Sequence, residues 1–370
     1  MTQYLYIDDE KDVAESFADA LEIKGALSIK VEQAGGLEQI LGFLSTKPDG
    51  LLLDIKLSNT TDEEGKLLRF DGLALAQQLR SLQTRGELQS IPIVRFSQPV
   101  VVQEYVRGDS TSDDCFDERI SKDEIAAQAA KIGHQLLSLA DGYPRLRDFA
   151  TDVKNEKAAA IALGVEPSFL DRLDSRILAD IQQAENAPVH VLAGFFLNML
   201  IGRPGPLITE DLLAARLGVD RQRSQAGWPR VLENLKNARY AGVFHSGYPR
   251  WWMAAISDIW EALPGAPGSL ARLRAEERVE FLQKSWKMEL TPFAENPESP
   301  GRRYWAICLR TGLPVDPTSG IALLPRLNHQ PWQDAEYLSL EAALRDSHNP
   351  RIRPDDKARL QRELNKRGRS

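Results

Sequence analysis

Short apolar runs and one-sided helical stretches alternate along the first 140 residues. The run from Tyr4 reads as a buried strand, and the next segment places Val13, Phe17 and Leu21 at helical spacing. SIKVEQ reads as a second strand with GLEQILGFL as a short helix behind it, and LLLDIKL as a third. FDGLALAQQLRSL carries Leu75, Leu79 and Leu82 on one face. IPIVRFS and CFDERIS supply two more strands, and a last helix shows Ile125, Ala129, Ile132 and Leu136 on one stripe. Such an alternation predicts an α/β fold for residues 1–140: a five-stranded, doubly wound parallel sheet with right-handed crossovers.

After residue 140 the pattern changes. DGYPRLRDF brings Gly and Pro and is expected to break the last helix, opening a helical connector over 141–205. Within it VHVLAGFFLNMLIG is too short to span a bilayer and reads as a buried helix. Over 206–262, Thr209 is placed to cap a helix carrying Leu212, Leu213, Ala215 and Leu217, which Gly218 ends. Trp228, Val231, Leu232 and Leu235 mark a second helix, and strands are expected at Val243–His245 and Trp251–Met253. Helix, turn, helix and ribbon is the order of a winged helix, so this stretch is winged-helix-like. The remainder, 263–370, is expected to be α+β, with YWAICL and GIALLP forming a small β-hairpin before a basic tail.

Charge separates the same regions. Residues 1–140 hold 24 acidic and 14 basic side chains, whereas 141–370 hold 29 and 32. An acidic module joined to a mildly basic one argues for two different jobs. An apolar fraction of 42% with 27% charged residues fits a soluble globular chain. No basic, apolar leader opens the sequence, and Cys115 and Cys308 stand far apart with no second pair. A reducing cytoplasm is therefore expected, without a disulfide framework or zinc site.

The candidate chemistry lies where the expected strands end. Asp8 and Asp9 follow the first, Asp54 ends LLLD, Ser97 ends IPIVRFS and Lys122 follows the fifth. In a doubly wound sheet those ends converge on one crevice. A carboxylate attacks phosphorus poorly unless a divalent cation neutralises the gathering charge. Asp8, Asp9 and Asp54 offer the oxygen set that Mg2+ prefers. Lys122 can set an ammonium against a phosphoryl group, and Ser97 can donate a hydrogen bond to one of its oxygens.

On these five positions, and on DGLALAQQLR and ISKDE, residues 1–140 resemble the receiver domain of bacterial two-component response regulators, a flavodoxin-like fold. The resemblance implies that Asp54 is the phosphoacceptor, Asp8 and Asp9 the acidic pair that holds Mg2+ with it, Ser97 the hydroxyl residue and Lys122 the lysine of that family. It implies a histidine kinase as partner and self-catalysed phosphotransfer and dephosphorylation. The chain departs from the family in three places: an acidic insert, SNTTDEEGKLLRF, follows Asp54; Arg119 stands where the family places an aromatic residue; and Asp123 replaces the usual proline after the lysine.

Two outputs are compatible with the rest. One is protein interaction or signal tuning, through a partner or a homodimer; a phosphate sink, for example in a bacterial defence system, is one form of it. The other is phosphorylation-controlled DNA binding by the winged-helix-like unit, whose Arg221, Arg223, Arg230, Lys236 and Arg239 lie on or before the second helix. Glu233 interrupts that face. No familiar hydrolase, nucleotide-binding or metalloprotease motif is present, so no separate enzymatic domain is expected, and no membrane partner.

Overall fold

The structure, a computed structural model, describes residues 1–57, 70–105, 112–295 and 300–367. Nearly all of the acidic insert after Asp54 therefore lies outside the described residues, as does the end of the basic tail. The chain divides into two compact units. The first comprises Met1–Gly202 with Ala241–Tyr248, and the second Arg203–Tyr240 with Pro249–Ser370.

The first unit is built on five strands: β1 (Thr2–Asp8), β2 (Leu27–Gln33), β3 (Gly50–Leu53), β4 (Ile93–Ser97) and β5 (Glu118–Ser121). Their order is β2-β1-β3-β4-β5, and every pairing is parallel. Helices α1 (Lys11–Leu21), α2 (Leu37–Leu44), α3 (Gly72–Thr84), α4 (Pro99–Tyr105) and α5 (Ile125–Ala150) follow the strands in turn. This is the five-stranded, doubly wound sheet that the alternation predicted, in the flavodoxin-like order that the resemblance implied. β3 is apolar along its whole length and fully buried, as a strand covered on both faces must be.

Two local expectations fail. Val13 is half exposed, and α1 buries, besides the expected Leu21, Ala14 and Ala18, small residues that let the helix approach the sheet. The break at DGYPRLRDF does not occur, since α5 runs 26 residues with Pro144 inside it. Ile132, Leu136, Leu139, Tyr143 and Leu146 keep one apolar stripe through the proline, and all are buried. That burial outweighs the ~3 kcal/mol that an interior proline costs a helix. Gly142 is required by packing, because a Cβ there would lie 2.2 Å from the Phe244 ring.

Three further helices complete the unit: α6 (Glu156–Leu163), α7 (Ser175–Gln183) and α8 (Val189–Gly194), the last continuing as a π-helical stretch to Ile201. The apolar segment here is largely buried, as expected, with Leu192, Phe196 and Leu200 fully enclosed and Val191 exposed. Residues 241–248 join the same unit. Val243 donates its N–H to Ala162 O, Ser138 donates to Phe244 O, and the Tyr248 hydroxyl donates to Glu118 on β5.

In the second unit, Thr209 caps α9 (Glu210–Leu217) as predicted, accepting the Leu212 N–H, and Gly218 ends it at φ 77°. α10 (Trp228–Asn234) follows, and Trp228, Val231, Trp251 and Trp260 share one core with Leu213. The expected ribbon is different. Val243–His245 lies in turns, and β7 (Trp251–Trp252) pairs with β6 (Leu207–Ile208) ahead of α9. α11 (Met253–Ala262) and α12 (Ala275–Trp286) pack on this core.

The small β elements of the remainder also choose other partners. β8 (Ala306–Ile307) pairs with β9 (Pro314–Val315), and β10 (Ile321–Ala322) with β11 (Tyr337–Leu338), so YWAICL and GIALLP do not pair with each other. Leu309, Arg310 and Thr311 turn the chain back within reach of β8, which makes the local partner the available one. α13 (Leu340–Arg345) and α14 (Pro354–Arg367) close the chain. Among the described residues no helix is long and apolar enough to cross a membrane.

Candidate functional site

Asp8 is the last residue of β1, Asp54 directly follows β3, Ser97 ends β4, and Lys122 directly follows β5. The parallel register brings these ends to one edge of the sheet, and the sequence-predicted residues meet there. One carboxylate oxygen each from Asp8, Asp9 and Asp54 lie within 4.8 Å of one another.

Local backbone holds each in place. Asp8 Oδ1 accepts the Glu10 N–H at 2.9 Å, and its Oδ2 accepts from Lys122 Nζ at 2.8 Å and from the Tyr6 hydroxyl. Asp54 Oδ1 accepts the Ile55 N–H at 2.9 Å and the Ser97 hydroxyl, whose oxygen takes the same N–H at 2.8 Å. Lys122 Nζ lies 3.4 Å from Asp54 Oδ2, so a single ammonium faces two carboxylates. Asp71 caps α3 by accepting the Ala74 N–H, and Gly72 lies so close beneath that a Cβ would come within 2.0 Å of the Asp54 carbonyl oxygen.

Electrostatically the crevice is strained. Burial pushes the Asp54 carboxyl up to about 6, against the downward pull of Lys122 and the Ser97 hydrogen bond. Burial and then the neighbouring Asp8 raise Asp9. Asp9 Oδ2 is enclosed and has no hydrogen-bond partner. A buried carboxylate oxygen without a donor, beside two further carboxylates, fits a divalent cation with oxygen preference such as Mg2+. Asp8, Asp9 and Asp54 are the residues that would hold it.

Tyr6 escaped the sequence reading, which counted YLYI as apolar strand. A signal was present, because residues two apart on a strand share a face, so Tyr6 and Asp8 point the same way. Arg119, at the position where an aromatic residue was expected, lies on β5 opposite Arg95 of β4 and is half buried. Away from the crevice, the second unit contains a cavity of about 420 Å³ lined by Trp305, Cys308, Arg216, Asp334 and Tyr337. One wall is the predicted helix α9, but the facing wall is formed around β8 and β11, whose partners the sequence does not announce.

No family profile matches the chain, and no curated protein matches it. Similar solved structures include receiver domains and response regulators. The response regulator domain of Thermotoga maritima CheB is 12% identical, with a TM-score of 0.26, covering 38% of this chain and 97% of that one. The receiver domain of a Bacteroides fragilis response regulator is 18% identical, with a TM-score of 0.24, covering 33% and 85%. RcsB from Salmonella enterica serovar Typhimurium, bound to promoter rprA in the presence of phosphomimetic BeF3-, is 13% identical, with a TM-score of 0.25, covering 52% and 98%.

Proposed function

We propose that the first unit is a phosphoacceptor module of a two-component phosphorelay, with Asp54 as the residue that takes the phosphoryl group from a histidine kinase. The observation that carries this reading is the meeting of Asp8, Asp9, Asp54, Ser97 and Lys122 at the strand ends. An Asp54 oxygen attacks phosphorus and forms an O–P bond. The donor's P–N bond (phosphohistidine) or P–O bond (acyl phosphate) breaks, and its electron pair leaves with the donor, the imidazole taking up a proton.

Mg2+, when bound, supplies positive charge to the phosphoryl oxygens. Lys122 moves its ammonium toward those oxygens, and Ser97 turns its hydroxyl from Asp54 Oδ1 to the group now bonded there. Asp54→Asn is expected to abolish phosphate incorporation from a cognate kinase or a small acyl phosphate. Label retained in that variant would overturn the assignment.

For the second unit we favour protein interaction over DNA binding as the output. Arg221 is tied to Glu210 and Asp211, and Lys236 to Glu233, so two of the five basic residues proposed to face DNA are neutralised within the unit. Gel-shift titration against duplex DNA, with and without phosphodonor, separates the two. Salt-sensitive binding that strengthens on phosphorylation would establish the DNA-binding reading instead.

A further inference from the structure

We propose that Tyr6 is a positioning residue for phosphoryl transfer, its hydroxyl keeping Asp8 Oδ2 hydrogen-bonded while Lys122 leaves that oxygen for the incoming phosphoryl group. The proposal rests on the phosphoacceptor reading above. Asp8 Oδ2 accepts from two donors, Tyr6 and Lys122, one on a short aromatic ring and one on a long aliphatic stem.

The Tyr6 ring is wholly buried on β1, an interior strand of the sheet. It meets Phe96 edge to face at 5.2 Å and 77°, and Phe96 meets Phe17 at 5.9 Å and 90°. This packing, and not the charge it serves, fixes the position of the hydroxyl. Lys122 Nζ lies at the edge of the same cluster, 5.9, 5.8 and 5.9 Å from the ring centroids of Tyr6, Phe17 and Phe96. The rings support the ammonium by cation–π attraction without binding it to one oxygen.

An acceptor Asp54 needs that ammonium at the phosphoryl oxygens, so the contact at 2.8 Å with Asp8 must open. A buried carboxylate oxygen stripped of its only donor is strongly disfavoured. With Tyr6 in place, Asp8 Oδ2 keeps a donor after the lysine departs. With phenylalanine there, Lys122 becomes the sole donor and is held back on Asp8.

The test uses the full chain and four proteins: the parent, Tyr6→Phe, Lys122→Ala and the double variant. Magnesium affinity is measured by calorimetry, and phosphate incorporation from acetyl phosphate at saturating magnesium, with beryllofluoride affinity as a second readout. Tyr6→Phe is expected to keep magnesium affinity within about twofold while phosphorylation slows about tenfold. In the Lys122→Ala background the same change is expected to alter either phosphoryl readout by less than about twofold, because no lysine remains to be released.

A residue that only packs would lower both readouts by the same factor in both backgrounds, and that result overturns the proposal, as does parental phosphorylation of Tyr6→Phe. A parent protein that takes neither phosphate nor beryllofluoride overturns the phosphoacceptor reading itself, and the proposal with it.

Discussion

Asp54 is held near a pKa of about 6 by burial, well above the ordinary 3.8. On the phosphoacceptor reading only the carboxylate attacks phosphorus, so in metal-free protein falling pH works against the reactive form, and a bound cation would favour it. The sign for stability is opposite. Folding favours the protonated acid, so this group's contribution is present below the ordinary pKa and is lost as pH climbs through about 6. In metal-free protein Asp54→Asn should therefore raise stability at pH 7.5, by up to about 3 kcal/mol, and hardly at all near pH 4. Denaturant unfolding at the two pH values measures this. Gly72→Ala should lower stability by roughly 1–3 kcal/mol and slow labelling, since the new methyl group must displace the Asp54 carbonyl. At this scale the site was legible in the sequence wherever a polar residue ended an apolar run. Tyr6 was hidden because its ring obeys the apolar pattern and its hydroxyl does not.

The elements beside the crevice are tied by a buried polar network. Arg80 of α3 donates to Asp117 at 2.6 Å and to the carbonyls of Cys115 and Ile91. Asp117, just before β5, also accepts the Ile93 N–H and, at 2.7 Å, the hydroxyl of Tyr143 on α5. Asp117 and Tyr143 hold the guanidinium above its usual pKa despite its burial. Asp117→Leu leaves that charge unpaired and should cost about 3–5 kcal/mol, whereas Asp117→Leu with Arg80→Met should cost much less than the sum of the single changes. Chemical denaturation of the three variants decides it.

His190 on α8 is pushed down to about 4 by burial and by Arg80. Its neutral ring contributes stability above pH 6.5 that is lost as pH falls toward 4. His190→Phe should flatten that slope, by about 1 kcal/mol given the partial exposure of the ring. The sheet was readable in advance because strand and helix periods are distinct. The length of α5 was not, because a Gly and a Pro outvoted an apolar stripe that tertiary packing preserves. The strand expected at Val243–His245 does not form for a related reason: Val243 and Phe244 are apolar and fit a strand or a buried turn equally well.

The two units are not consecutive stretches of chain, since residues 241–248 belong with the first. Phe244 and Tyr248 are buried there, each contributing on the order of 2 kcal/mol by removal of apolar surface from water. A fragment ending at Gly202 lacks both. It should melt at a lower temperature than the same unit in the intact chain and expose apolar surface along α5, measurable by calorimetry and dye binding. Composition hinted at a boundary near residue 140 through the charge contrast. It had no means of revealing a return, because eight residues change no average.

That return also sets a timetable at the ribosome. The sheet can collapse once α5 has emerged, but the slot beside Gly142 stays empty until Phe244 has been polymerised and released from the exit tunnel. At about 5–20 residues per second, this leaves an interval on the order of 5–20 s in which a nascent chain shows a greasy helix face to whatever chaperone is nearest.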